Sequence, residues 1–249
     1  MADIIVPALQ QAINLITSGD PEVYATVYRT IYVAGLGTLL ACLWSIPIAV
    51  LLGLYNFRGR WFIKGIFNAL IGIPTVALGL LLFLLFSRQG ELGFLNLLFT
   101  LNGIAIGEAI LVTPIIVSFT ANALGTADIQ LRDLARTLGA SEFRTNLTLM
   151  RETIWSIVLS LTASFNRCFG ELGIATLVGG SILGETRVLT TSIAIWTNFG
   201  DFSLAMAYGV ILMAIIVALA LIVSLIERIK NQDLPWNKLS FWRGYRRKF

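Results

Sequence analysis

Three ionisable side chains sit inside long apolar runs: Glu108 in "IAIGEAILVTPIIVS", and Arg167 and Glu171 in "SFNRCFGELG". A charge at bilayer depth costs about 3 kcal/mol on insertion scales, so such groups mark either a polar path or a buried ionic network. Arg167 and Glu171 are four residues apart, the spacing that puts two side chains on one helix face about a turn apart. Thr162, Ser164 and Asn166 place hydroxyl and amide groups close by. Hydrolytic chemistry finds no support in the chain. It contains no histidine, which removes H-E-x-x-H zinc sites and Ser–His nucleophiles, and no metal-ligand set or catalytic group is expected. No Gly-Lys pair occurs, so the chain has no phosphate-cradling G-x-x-x-x-G-K-[ST] loop of its own. Cys42 and Cys168 each lie inside an apolar run and read as small buried hydrophobes, with no disulfide framework.

The elements that hold these groups must be membrane helices. Of 249 residues, 57% are hydrophobic and only 13% charged, well away from a soluble domain's balance. Five stretches are apolar enough, at about 20 residues each, to cross a bilayer. They run from about Thr30 to Leu54, Ile66 to Phe86, Ile104 to Ala121, Ile154 to Val178 and Leu204 to Ile226. Residues 4–16 carry apolar groups at helical spacing beside Gln10, Gln11 and Asn14, an in-plane amphipathic helix, and "SGDP" at 18–21 reads as the turn before the first span. Residues 188–199 are too short and too polar to cross and read as an interfacial or re-entrant helix. Pro47, Pro74 and Pro114 interrupt the first three spans, and Gly103, Gly107, Gly170 and Gly173 allow close helix approach. The expected organisation is an all-α integral membrane protein with an amphipathic segment 1–22, a transmembrane domain 23–230 and a basic aromatic tail 231–249.

Charge sets the direction. Fourteen of the eighteen Lys and Arg residues fall in loop 57–64, loop 122–153 and the tail from 227. By the positive-inside rule these are cytoplasmic, which puts the N-terminus outside and the C-terminus inside. The basic excess therefore reports topology rather than a nucleic-acid partner, and the tail reads as an anchor at the inner leaflet or as a topology signal alone.

Loop 125–154 is far longer than a link between spans requires. Asp128 can cap a helix through "IQLRDLARTL", Gly139 can end it in a left-handed conformation, and Ser141 can cap a second helix through "EFRTNLTLM". Two short helices at a glycine elbow, presenting charge and apolar groups together, suit a groove in a partner.

Here the sequence resembles a known family. "DLARTLGAS" resembles the EAA loop of permease subunits of binding-protein-dependent ABC importers: Asp133, Leu134 and Ala135 fall on Glu-Ala-Ala, Gly139 on the glycine and Leu149 on the later Ile. Arg151 and Glu152 replace that pattern's Leu-Pro. The stretches 72–93, 104–118, 164–182 and 186–209 are similar to the tungstate permeases in particular, relatives of the molybdate and sulfate permeases. The resemblance implies the type I importer (MetI-like) fold. It also implies a homodimer with the path at its interface, and an extracytoplasmic oxyanion-binding protein. Two ATPase subunits would hold ATP and Mg on their own chains, docked through Arg132, Asp133, Leu134, Ala135, Leu138, Gly139, Ala140 and Ser141. On this reading the cargo is an oxyanion, tungstate, with molybdate or sulfate as the alternative and a secondary transporter or channel as the rival class. Few spans, no visible inverted repeat and the large loop stand against that rival. The cluster Glu108, Thr162, Ser164, Asn166, Arg167 and Glu171 then lines the oxyanion path or braces the spans. Two carboxylates beside Arg167 would weaken a dianion site, which favours a gate or way-station over a trap.

Overall fold

The computed structural model describes residues 2–126 and 137–233, and every regular element among them is helical. Helix α1 (Ala2–Thr17) ends at a turn with Gly19 at φ +70°, after which Asp20 Oδ1 accepts from the N–H groups of Glu22 and Val23. Pro21 follows in the first turn, and that cap starts α2 (Pro21–Leu54) nine residues earlier than hydropathy alone implies. Next come α3 (Arg60–Leu70), α4 (Thr75–Phe86), α5 (Leu101–Thr126), α6 (Glu142–Glu152) and α7 (Ile154–Phe169). A short α8 (Gly173–Leu177), α9 (Leu189–Asn198) and a long α10 (Phe202–Asp233) complete the order.

Among the described residues three helices are long and apolar enough to cross a membrane: α2, α5 and the Phe202–Leu225 part of α10. The α3–α4 pair qualifies as a fourth if its 97° bend is taken as one broken span. Two expected spans therefore differ from their sequence reading. The second breaks around Pro74, which caps α4 and cannot continue α3. Pro47 and Pro114 stay inside α2 and α5.

The fourth expected span, Ile154 to Val178, is two helices separated by Gly170–Leu172. The break is stabilised locally: Glu171 Oε1 accepts from the N–H groups of Gly173 (2.8 Å) and Ile174 (3.2 Å), satisfying the first turn of α8. Arg167 and Glu171 consequently do not share one continuous helix.

Helix α5 lies at the centre, with Ile104, Ala105, Ala109, Val112, Ile116 and Val117 fully buried. It packs along α2 and against α7, while α4 and α8 meet beside it. At Gly107 a Cβ would lie 2.6 Å from Ile174 Cγ2 and 3.0 Å from Leu82 Cδ1, so α5, α8 and α4 come together only because no side chain stands there. Helix α1 packs on α10 through Ala12 and through a 2.7 Å bond from Ser203 Oγ to Gln11 Oε1, while Val6 and Ile13 stay exposed.

Candidate functional site

Glu171 is the hub of the charged cluster. It is 2% exposed, its Oε2 accepts from Arg167 Nη1 at 2.7 Å, and its Oε1 caps α8. Its carbonyl accepts from Thr190 Oγ1 (2.8 Å), and its N–H donates to the Cys168 carbonyl (3.0 Å). One residue thus ties the end of α7, the start of α8 and the first turn of α9. Thr190 lay outside the expected cluster; the "VLTTS" run at 188–192 was its signal, since polar residues opening a short apolar helix must find local partners. Arg167 differs from its partner, with 38% of its side chain exposed.

Glu108, two turns into α5, is buried opposite α2: a Cβ at Gly37 would lie 3.4 Å from its Oε2. The charges of Glu171 and Arg167 both act on its carboxyl, yet Oε2 has no hydrogen-bond partner among the described residues. Cys168 Sγ points to the Glu108 carbonyl and receives the Thr38 hydroxyl, both at 4.0 Å, so α2, α5 and α7 converge here. The three charged residues are therefore brought together, with Arg167 paired to Glu171 rather than to Glu108.

The expected polar neighbours divide. Thr162 and Ser164 donate to carbonyls of their own helix, Val158 and Ser160, and Ser164 is fully buried. Asn166 Oδ1 is buried without a partner among the described residues.

A second cluster, not anticipated as a unit, joins the start of α2 to the segment before α9. Arg29 Nη1 donates to Glu22 Oε1 (3.1 Å) and to the Arg187 carbonyl (3.4 Å), and Thr30 Oγ1 accepts from the Leu189 N–H (3.0 Å). Seven residues separate Arg29 from Glu22 along α2, two turns, which sequence shows only once a helix is assumed.

In the long loop, Arg132, Asp133, Leu134 and Ala135 lie outside the described residues. Gly139 has φ +79° with no described residue within 4 Å of a Cβ, a left-handed elbow as its spacing implies. Ser141 Oγ caps α6 by accepting from the Arg144 N–H at 3.4 Å. Around this elbow Leu138 (78%) and Phe143 (77%) are exposed apolar groups, while Leu149 on the other face of α6 is buried against Leu54 and Leu124.

Residues 45–233 match the protein family described as "Binding-protein-dependent transport system inner membrane component". The chain is 33% identical over 226 residues to the tungstate uptake system permease protein TupB of Peptoclostridium acidaminophilum, covering 90% of this chain and 99% of that protein. Its Campylobacter jejuni counterpart is 30% identical, at 91% and 95% coverage. The molybdenum transport system permease protein ModB of Haemophilus influenzae is 30% identical over 159 residues, covering 59% and 69%. Among solved structures, an inward-facing form of the MetNI methionine ABC transporter superposes with a TM-score of 0.69 at 18% identity, covering 85% of this chain and 98% of that one. With most of its length matched, and with such identity across nearly the whole chain, this protein belongs to the inner membrane components of binding-protein-dependent transport systems.

Proposed function

We propose that this chain is the permease subunit of an ABC importer that carries an oxyanion, tungstate, across the cytoplasmic membrane. The observation that carries the reading is identity of 33% and 30% to two tungstate permeases over nine-tenths of the chain. It is a transport subunit and not an enzyme; ATP and Mg belong to a separate ATPase, and an extracytoplasmic binding protein delivers the anion. Two copies form the path between them. In support, Arg167 keeps 38% of its side chain exposed although Glu171, its partner, is buried. Arg167 on this reading meets the passing anion, weakened as a trap by its bond to Glu171, and Glu171 braces the break. The ATPase docks at residues 125–153, where Leu138, Gly139, Ala140 and Ser141 form the described part of the elbow, on the cytoplasmic side with the C-terminus.

The test is uptake by the permease reconstituted with its ATPase and binding protein. Tungstate should accumulate only with ATP and binding protein together, and excess molybdate or sulfate should compete poorly. Molybdate is the second reading, favoured by the molybdenum permease identity, and equal competition by molybdate would establish it.

A further inference from the structure

The loop that receives the ATPase is covalently continuous with α5 on one side and, through α6, with α7 on the other. Helix α2 has no such link, yet it runs 34 residues, about 51 Å at 1.5 Å per residue, from the cytoplasmic knuckle to the Arg29–Glu22 cluster. Movement of the loop reaches it through packing, along α5 and at α6.

One contact is placed for this. Tyr55, the residue that ends α2, is half exposed, but its hydroxyl does not point to solvent as a tyrosine at a span's end ordinarily would. It accepts instead from Asn146 Nδ2 of α6 at 3.1 Å, across 91 residues of sequence. Asn146 is 9% exposed, and one turn on Leu149 is 1% exposed, seated against Leu54 and Leu124.

The receiving end is stiff. Arg60 of α3 donates to the free carbonyls ending α2, at Leu52 (2.7 Å) and Gly53 (2.9 Å), and also to Asn56 Oδ1. Lys64 reaches the Ala121 carbonyl of α5 at 3.5 Å. A Cβ at Gly53 would lie 2.7 Å from Leu124 Cβ, so α2 and α5 touch here backbone to side chain. A displacement delivered at Tyr55 is therefore shared by α2, α3 and α5 rather than absorbed.

We infer that the Tyr55–Asn146 hydrogen bond, with Leu149 in its Leu54–Leu124 seat, is the strut that passes movement of the docking loop to α2. The two residues are positioning residues, touching neither anion nor nucleotide. This rests on the reading of residues 125–153 as the ATPase dock and adds to it the route by which that dock drives a span it is not joined to.

The experiment uses the complete complex of permease, ATPase and binding protein in proteoliposomes, with tungstate imported per ATP hydrolysed as the readout. Tyr55→Phe removes one hydroxyl and Asn146→Ala its partner. Each should lower import per ATP about fivefold, as loss of one net hydrogen bond predicts, with binding-protein-stimulated hydrolysis within about twofold of the parent. Because both remove the same bond, the double variant should be no worse than either single one. Tyr24→Phe, whose hydroxyl bonds the Ile16 carbonyl in the N-terminal segment, should leave the ratio unchanged. An unchanged ratio in Tyr55→Phe, additive losses in the double variant, or failure of both variants to assemble with the ATPase would each overturn the strut. If the parental complex itself imports no tungstate, the proposed substrate fails instead; if it hydrolyses no ATP in response to the binding protein, the importer reading fails.

Discussion

At the residue scale, Glu171 and Arg167 differ in surroundings, one buried at the helix break and one partly exposed, and the proposed brace and path roles are assigned to them accordingly. Glu171→Ala removes the partner of a guanidinium and the acceptor of two helix N–H groups. The variant should unfold with a loss of roughly 2 to 4 kcal/mol, towards the lower end because Arg167 is 38% exposed and partly screened. Glu171→Gln keeps a carbonyl oxygen able to accept from Gly173 and should lose less than half as much; thermal unfolding of the purified permease in detergent checks both. Arg167→Ala should instead assemble and slow tungstate import at least about tenfold, the scale of a lost charged hydrogen bond. Parental import by a correctly assembled Arg167→Ala would remove both path and brace roles from this residue.

At the element scale, the elbow at Gly139 leads into α6 from the loop proposed to receive the ATPase. Its φ of +79° makes any side chain there cost about 1 kcal/mol, but no described residue comes within 4 Å of a Cβ, so the described fold tolerates one. Gly139→Asp should therefore insert and reach parental abundance, while binding-protein-stimulated ATP hydrolysis falls at least tenfold and transport is lost. Normal stimulation in that variant would remove the elbow from the dock. The left-handed glycine followed two residues later by a capping serine was legible in the sequence, because both act within one turn of chain. The break after Phe169 was not, although Gly170, Glu171 and Gly173 stand at it, because the apolar residues on both sides keep the hydropathy of the whole stretch at that of one span. It follows from Glu171 turning back onto α8, and from Gly173 packing where a Cβ would lie 3.0 Å from the Val76 nitrogen.

At the scale of the whole molecule, the positive-inside rule and the fold make one joint prediction. Phe143, beside the elbow on α6, and Phe94, in the segment between α4 and α5, are 77% and 75% exposed. Single cysteines placed at these positions, in a background without Cys42 and Cys168, should react with a membrane-impermeant maleimide from opposite sides. Phe94→Cys should label in intact cells and Phe143→Cys only after the membrane is opened. The reverse pattern would invert the orientation and move the ATPase dock to the wrong face.

Composition and local spacing by themselves determined that this is a helical membrane protein without histidine chemistry or a nucleotide loop. They also marked the N-terminal helix, the short 188–199 helix, and the elbow at Gly139 and Ser141. These are properties of apolar length and of caps, which a few consecutive residues settle. Only the tertiary structure decided which acid holds Arg167, that Glu108 Oε2 finds no partner among the described residues, that the second expected span bends by 97°, and that Tyr55 meets Asn146. Each depends on groups brought from distant helices to satisfy or crowd one another, and an apolar run is equally long whether its neighbours let it continue or oblige it to break.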